Sequence, residues 1–479
     1  MSRPAIIALF FAIIVAMLAA RNLPWHLDDK DQAKQAFTSF EMIAQGHWWF
    51  QHTPTGKVAT KPPLAGWISA ALSPLGWDIA WRLPGLVCAL ITLRILWRTG
   101  NQLGAAPLGG LIAAGAFGLN HFSQRLATLV RTDMLLAFFV FLAGYAIYEH
   151  LYYDMPWTTR DRWGLFTIVL ASMLTKGPIA YAFLLPGLLA FWFIRWRARE
   201  ENDAWAGWWP WFAPLLVFGA WAGIGIWQSR EFYVQVVEVE FLGRFTVGEK
   251  AVHHNQPIYF YLAHVIGKFA PWSLLLIALH FQKRVRAAIA RDPERLWLVC
   301  WALGGLIFMS LVPSKRADRI FPVIPPLCLL TAATLVPLVD GRIWRWSGRR
   351  VSECIAALAL LITLTAAIVE VVRGYREHQG DLARFGKIAR AIAGESPERL
   401  AVVSGKDEGM LLYTQRPAFT KLDDAIAGWR SGEIDWLVLP EKEFAKREPD
   451  FASARTPATV PHLPEKFSGY VLLERAANP

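Results

Sequence analysis

Acidic and basic side chains gather in the first long connection of this chain, between the apolar segments 4–20 and 82–97. The connection holds Asp31 and two further aspartates in LDDKDQAKQAF, followed by Lys61 in ATKPPLAGW. It has roughly sixty residues and is therefore too long to be a plain turn. Carboxylates and lysines beside a lipid bilayer predict chemistry on a phosphorylated lipid.

Further charged residues stand where apolar segments begin or end. Asp133 opens an apolar run in LVRTDMLLAFF, and Lys176-Gly177-Pro178 interrupts another. An ionisable residue at membrane depth lines a polar cavity or pairs with another charge, and Arg131 is the nearest local partner for Asp133. Lys176 either extends to the membrane interface or reaches a lipid phosphate.

Two more segments offer polar groups just before apolar runs. His254, the second of two adjacent histidines, is a candidate metal ligand or substrate contact, and equally an interfacial histidine beside an aromatic belt. Lys315 and Arg319 lie in SKRADR, a basic loop on the face where the positive-inside rule predicts few cations. Such an exception indicates an anionic ligand.

These residues must be positioned by membrane helices. The chain has 479 residues, 54% hydrophobic residues, 24 Trp and a mean hydropathy of +0.31, which is too apolar for a soluble globule. The net charge of +11 falls largely in short loops between spans, so we exclude a nucleic-acid partner. About eleven spans are predicted. They lie at 4–20, 82–97, 105–122, 133–149, 162–178, 180–194, 208–227, 262–280, 296–312, 320–338 and 353–372.

Basic residues occupy every alternate loop, which places the N-terminus in the cytoplasm. The first outer loop, 21–81, and the C-terminal region then share the outer face. In that loop Phe37, Phe40, Met42 and Ile43 form an apolar stripe, which predicts an amphipathic helix on the membrane surface.

We expect two domains, a transmembrane domain at 1–373 and a small soluble α/β domain at 374–479. The second contains a polar helix near 380–393 and strand patterns in LAVVSG, DWLVLP and GYVLLE. The four cysteines lie within or at the ends of spans without metal-ligand spacing, which indicates apolar packing.

Taken in order, these motifs resemble the ArnT and protein O-mannosyltransferase superfamily of GT-C glycosyltransferases. The matching segments, which cover most of the membrane part, are Asp31 ahead of Glu41-Met42, Gly46-His47-Trp48, Lys61-Pro62-Pro63-Leu64, Arg82-Leu83-Pro84, Arg131-Thr132-Asp133-Met134, Lys176-Gly177-Pro178, His254 to Pro257, and Ser314-Lys315-Arg316 ahead of Pro322. The resemblance implies a polytopic α-helical membrane protein of GT-C type with a small C-terminal α/β extracytoplasmic domain. It implies transfer of a sugar from a polyprenyl-phosphate donor, by inverting displacement, to a glycolipid, glycan or protein acceptor.

Residue roles follow from the resemblance. Asp31 is the general base or orients the acceptor, and Asp133 is a second carboxylate that positions the sugar. The expected contacts to the sugar or the lipid phosphate are Lys34, Lys61, Lys176, His254, Lys315 and Arg319.

The chain departs from the family pattern at three positions. Gln32 and Lys34 stand where an acid and an arginine are common, and Thr60 replaces a glutamate that binds a metal in some relatives. A lipid-linked sugar phosphate needs no nucleotide, so we expect no soluble cofactor. A divalent metal is left open, with His254 as its one candidate ligand.

Two other classes of function remain open at this point. A lipid or sugar transporter or flippase would show repeated halves, and no clear repeat is present. A non-catalytic assembly subunit would explain the changes at Gln32 and Thr60. The favoured interpretation is a glycosyltransferase of the bacterial inner membrane, with the active site and the C-terminal domain in the periplasm.

Overall fold

The computed structural model describes most of the chain. The described residues are 3–22, 27, 30–200, 204–244, 256–339, 342–343, 346–377, 380–394, 396–403, 407–451, 454–455 and 469–475. They form two compact units. Unit 1 comprises 1–22, 60–65 and 82–370, and unit 2 comprises 23–59, 66–81 and 371–479.

In the described residues of unit 1, the secondary structure is helical apart from one short hairpin. Its helices are Arg3–Asn22, Leu83–Gln102, Leu108–Gly118, His121–Thr128, Asp133–Tyr153, Thr159–Lys176, Ala180–Ala198, Trp209–Gln228, Arg230–Phe232, Tyr233–Phe241 (a π-helix), Leu242–Arg244 (3-10), Phe260–Lys268, Trp272–His280, Lys283–Arg291, Pro293–Leu311, Ala317–Val323 (3-10), Ile324–Leu335 and Val336–Leu338 (3-10). The hairpin pairs Arg342–Ile343 with Trp346–Ser347 in antiparallel orientation. Two helices, Leu64–Ala71 and Gly348–Arg376, contain a boundary between the units.

Each of the eleven predicted spans coincides with a helix, a helix pair or a run of short helices. The described residues contain six helices that are long and apolar enough to cross a membrane, or seven spans if one bent pair of helices is counted as a span. On Gly348–Arg376 the side chains of Leu361 and Ile368 are exposed, as expected of a face that contacts lipid. The fold is therefore that of a polytopic α-helical membrane protein, as predicted.

The predicted span 262–280 is not a single straight helix. It consists of Phe260–Lys268 and Trp272–His280, whose axes differ by 109°. Pro271 precedes the second helix. Because proline has no amide hydrogen to continue the hydrogen-bond ladder, the chain changes direction there.

Small residues allow two helices of unit 1 to approach closely. Gly187 on Ala180–Ala198 faces Gly304 on Pro293–Leu311, and a Cβ added at Gly304 would lie 2.5 Å from the backbone nitrogen of Gly187. Backbone contact of this kind is typical of small residues in membrane helix pairs.

Unit 2 contains a four-stranded sheet in the order Leu400–Val402, Trp436–Pro440, Tyr470–Arg475, Ala454–Arg455. The first two strands are parallel, and the other pairs are antiparallel. Its helices are Lys30–Gln45, Trp77–Ala80, Asp381–Ala393, Glu408–Thr414, Leu422–Ser431 and Glu441–Lys446, with 3-10 turns at Ser73–Leu75, Pro397–Arg399 and Glu448–Phe451. Trp429, Leu437 and Leu473 are buried in the core between sheet and helices.

The helix predicted from the apolar stripe is present as Lys30–Gln45, and within unit 2 it packs against Glu408–Thr414. Phe37 and Met42 are fully buried, while Ile43 is exposed. Trp81 Nε1 donates a hydrogen bond to Ser39 Oγ at 3.0 Å on the same helix. Most of the stripe is thus covered by protein.

We predict that Gly304→Ala lowers the thermal stability of the detergent-solubilised protein by several degrees. The added methyl group would meet backbone atoms that cannot rotate away, and overpacking costs about 1–3 kcal/mol. Gly223→Ala is the matched control, because a Cβ there meets nothing within 4 Å. Tryptophan fluorescence during heating measures both. Equal midpoints for the two variants would contradict this account of the helix contact.

Candidate active site

Asp133 and Lys176 are brought together by two consecutive helices of unit 1. Asp133–Tyr153 and Thr159–Lys176 are joined by a short connection and pack against each other, so the start of the first lies beside the end of the second. Gly177, at φ +78°, ends the second helix directly after Lys176. The Lys176 ammonium donates a hydrogen bond to the Asp133 carboxylate.

This ion pair is nearly inaccessible to water, with 6% of the Asp133 side chain and 8% of the Lys176 side chain exposed. The helix dipoles favour a carboxylate at the first helix's N-terminus and a cation at the second helix's C-terminus. Asp133 therefore pairs with another charge, but the predicted local partner Arg131 is wrong. The partner is Lys176 on the neighbouring helix, and Arg131 contacts a different carboxylate.

That second carboxylate is Asp318, which the sequence analysis did not single out. Arg131 Nη1 and Arg316 Nη2 each lie 3.1 Å from Asp318 Oδ2. Lys176 also acts electrostatically on Asp318, so the two ion pairs form one cluster. One acidic residue within the basic segment SKRADR was the signal that could have revealed it.

The segment that carries Asp318, residues 314–319, also contains two buried cations, Lys315 and Arg319. Arg319 Nη1 donates to the backbone oxygen of Ser314 at 3.1 Å, and Lys315 Nζ donates to the backbone oxygen of Gln256 at 3.0 Å. Both side chains belong to residues that are at most 6% exposed. Burial lowers the pKa of the Lys315 ammonium, so a nearby anion would stabilise its charged form.

Cations outnumber carboxylates in this part of unit 1. The described charged residues of the cluster and its adjoining segment include Arg131, Asp133, Lys176, Lys315, Arg316, Asp318 and Arg319. Five are cations and two are carboxylates. An anion would stabilise cations in such a partly buried segment, which makes this segment a candidate phosphate site.

Lys61 belongs to a separate ion pair of unit 1. Its ammonium contacts the carboxylate of Glu240, which lies in the π-helix Tyr233–Phe241. Glu240 was not predicted as a site residue. The sequence gave no signal for this pairing, because Lys61 lies 179 residues earlier in the chain.

The remaining predicted residues belong to unit 2 or to undescribed positions. Asp31 lies in the first turn of Lys30–Gln45, and Lys34 follows three residues later on the same helical side. Both side chains are exposed. His254 lies outside the described residues.

No protein-family model matches the chain. Its curated relatives include undecaprenyl phosphate-alpha-4-amino-4-deoxy-L-arabinose arabinosyl transferases of several bacteria. The Yersinia enterocolitica protein is 26% identical over 405 residues, covering 79% of this chain and 68% of the relative. The Sodalis glossinidius protein is 26% identical, covering 68% and 58%. The Pseudomonas aeruginosa protein is 28% identical, covering 64% and 55%. The chain thus spans about two thirds or less of their length.

Solved structures share the fold. The structure of ArnT from Cupriavidus metallidurans bound to undecaprenyl phosphate covers 99% of both chains, with a TM-score of 0.69 and 18% identity. The chain is ArnT-like: it is similar to ArnT proteins in sequence and shares their GT-C fold. The Archaeoglobus fulgidus oligosaccharyltransferase in its apo form also matches, with a TM-score of 0.52 and 12% identity, over 92% of this ArnT-like chain and 71% of the other.

Two predictions are confirmed by these comparisons, the GT-C fold class and the relationship to ArnT. The roles assigned to individual residues of this ArnT-like protein stay predictions. The geometry shows that Asp133 and Lys176 meet, that Lys315 and Arg319 share one buried segment, and that Lys61 pairs elsewhere in unit 1.

We predict that Asp133→Asn and Lys176→Met each destabilise the protein by about 3–5 kcal/mol, because each leaves a buried charge without its partner. The double variant should lose less than the sum of the single variants. Thermal and denaturant unfolding in detergent give the three values.

Arg349 and Glu353 provide the control cycle. They form an exposed ion pair four residues apart on one helix, and the corresponding variants should change stability by at most about 0.5 kcal/mol. Additive losses at Asp133 and Lys176 would show that the buried pair is not energetically coupled.

Proposed function

We propose that the protein is an integral membrane glycosyltransferase that moves a sugar from a polyprenyl-phosphate donor, undecaprenyl phosphate as the carrier, to an acceptor by inverting displacement. The acceptor class is a lipid A, another glycolipid, a glycan or a protein. The observation that carries the proposal is the group of cations around Asp318, with the buried Lys315 and Arg319 on the same segment, in a chain similar to arabinosyl transferases named for an undecaprenyl-phosphate sugar.

The reaction is a single substitution. The acceptor oxygen forms a bond to the anomeric carbon while the bond from that carbon to the phosphate oxygen breaks. The polyprenyl phosphate leaves with the electron pair, and the acceptor proton passes to a base. Inversion at the anomeric carbon follows from one displacement.

The cations act on the leaving group. Negative charge grows on the phosphate as the glycosidic bond breaks, and preorganised cations stabilise that charge more in the transition state than in the ground state. Lys315 and Arg319 are the proposed phosphate contacts in the basic segment, and Lys34, Lys61 and Lys176 complete the predicted set. Because Lys176 already holds Asp133, its first role is to orient that carboxylate toward the sugar.

Asp31 is proposed as the base. Its side chain is exposed at the start of a helix, so it can accept the proton of an acceptor hydroxyl group. If the acceptor is itself a phosphate, no strong base is required, and Asp31 then orients the acceptor.

No step of this mechanism uses a metal at the position before Lys61. Thr60 supplies a hydroxyl group there and no carboxylate, so the ligand of some relatives is not reproduced. His254 is retained as a proposed substrate contact.

The protein is proposed to lie in a bacterial inner membrane with its N-terminus in the cytoplasm. The active site and the C-terminal α/β domain then face the periplasm. The alternation of basic and non-basic loops supports this orientation.

The proposal is tested by incubating the purified full-length protein with a panel of polyprenyl-phosphate sugars and candidate acceptors. Release of polyprenyl phosphate in step with acceptor glycosylation is the expected result. Failure with every donor would favour the assembly-subunit interpretation, and donor movement across vesicles without bond cleavage would favour a flippase.

We predict that Asp31→Asn lowers kcat by about 100-fold to 10,000-fold with a hydroxyl acceptor, the range for loss of a general base. Asp424→Asn is the matched control, since Asp424 is also an exposed carboxylate in the first turn of a helix of unit 2. Steady-state release of polyprenyl phosphate measures both. Unchanged turnover in Asp31→Asn would remove Asp31 from the chemistry.

We predict that Lys315→Met raises the KM for the donor about tenfold or more, which corresponds to at least about 1.4 kcal/mol of lost binding. Lys315→Arg should recover part of the affinity because it keeps the charge. Lys283→Met, at an exposed lysine of unit 1, should behave as the parent protein does. A KM that does not change in Lys315→Met would place the phosphate elsewhere.

A further inference from the structure

Three side chains of unit 2 that the mechanism does not use converge on one point. Glu41, His47 and His52 each present a ligand atom, and these atoms all lie within 4.8 Å of one another. The two imidazole Nδ1 atoms are 3.2 Å apart, and His52 Nδ1 lies 3.5 Å from Glu41 Oε1. His47 Nδ1 makes a hydrogen-bond contact with the same carboxylate oxygen.

Local structure explains why these residues meet. Glu41 lies on the last full turn of the helix Lys30–Gln45, and Gly46, at φ +79°, ends that helix and turns the chain back. His52 is held by an antiparallel bridge to Val58, and its backbone N–H donates to Glu41 Oε2 at 3.3 Å. The site is therefore built on a fixed helix and a fixed bridge.

Burial differs across the three side chains in a way that suits a cation. Glu41 is 1% exposed, His47 is exposed and His52 is half-buried. A buried carboxylate requires a compensating charge. Neutral imidazoles can share one proton with each other or with the carboxylate, whereas a divalent cation would satisfy the oxygen and both nitrogens together.

Two of the three separations between the ligand atoms match the coordination of zinc. With Zn–N bonds of about 2.0–2.1 Å, a tetrahedral site places neighbouring ligand atoms roughly 3.3 Å apart. The separations of 3.2 Å and 3.5 Å lie close to that value. Metal binding would replace the proton between Glu41 and His47, and those two atoms would then move apart.

We propose that Glu41, His47 and His52 bind one Zn²⁺ ion, with a fourth position open on the exposed side of His47. The proposal concerns a different set of residues from Thr60 and His254 and does not depend on the sugar transfer. The ion would link the segment 47–52 to the helix Lys30–Gln45 through its ligands. It would therefore stabilise the position of the helix that carries Asp31.

The test uses the full-length protein in detergent after removal of metal with a chelator. Equilibrium dialysis against micromolar Zn²⁺ followed by elemental analysis should return roughly one ion per chain, as a single three-residue site requires. Co²⁺ in its place should give the visible absorption of a tetrahedral complex. Zn²⁺ should also raise the thermal midpoint, because a ligand that binds the folded state stabilises it.

The variants His47→Gln and His52→Gln should each lose the bound ion, the cobalt absorption and the thermal shift. His280→Gln, at an exposed histidine of unit 1, should keep all three. A double variant, His253→Gln with His254→Gln, removes the metal ligand predicted from the sequence, His254. It should also keep the ion. Because His47 is exposed, its variant should fold, and size-exclusion chromatography checks this.

Retention of the ion in His47→Gln and His52→Gln would overturn the proposal, as would its loss in the His253 and His254 variant. Failure of the parent protein to take up Zn²⁺ would show that the three side chains form a hydrogen-bonded group only. These outcomes are read from metal content, absorption and thermal midpoint and not from release of polyprenyl phosphate, so failure of this proposal and failure of the proposed function can be told apart.

Discussion

Charge buried within the helical unit must be paired, and this constraint organises the candidate site. Asp133 and Lys176 stand at facing ends of two consecutive helices, where each is favoured by its helix dipole and neither reaches water freely. Arg131 lies just before the first of these helices and forms an ion pair with Asp318. Because Asp318 lies on the basic segment 314–319, the same constraint fixes Lys315 and Arg319 near the paired charges.

The functional consequence is a positive excess that a phosphate can neutralise. Five cations accompany two carboxylates among the described residues of the cluster that are named above. In the proposed reaction, a lipid-linked sugar phosphate brings negative charge to these cations and gains more of it as the glycosidic bond breaks. The similarity to ArnT proteins and the positions of these cations therefore support the same type of donor.

Sequence reasoning succeeded where the signal is local. The apolar runs located the helices, and the strand patterns in unit 2 were correct for LAVVSG, DWLVLP and GYVLLE. It failed where partners are distant in the chain. Arg131 is the nearest cation to Asp133 in sequence, yet helix pairing selects Lys176, and Glu240 lies 179 residues from Lys61. The cluster of Glu41, His47 and His52 was missed because its convergence depends on a glycine turn and a bridge that residue spacing does not specify.

The most direct test of the central claim compares two lipids that differ only in the phosphate. The thermal midpoint of the purified protein should rise with a polyprenyl monophosphate and stay unchanged with the polyprenol of the same chain length, because the cations recognise the phosphate. Equal shifts with both lipids, or no shift with either, would contradict the claim that the buried cations form a lipid-phosphate site.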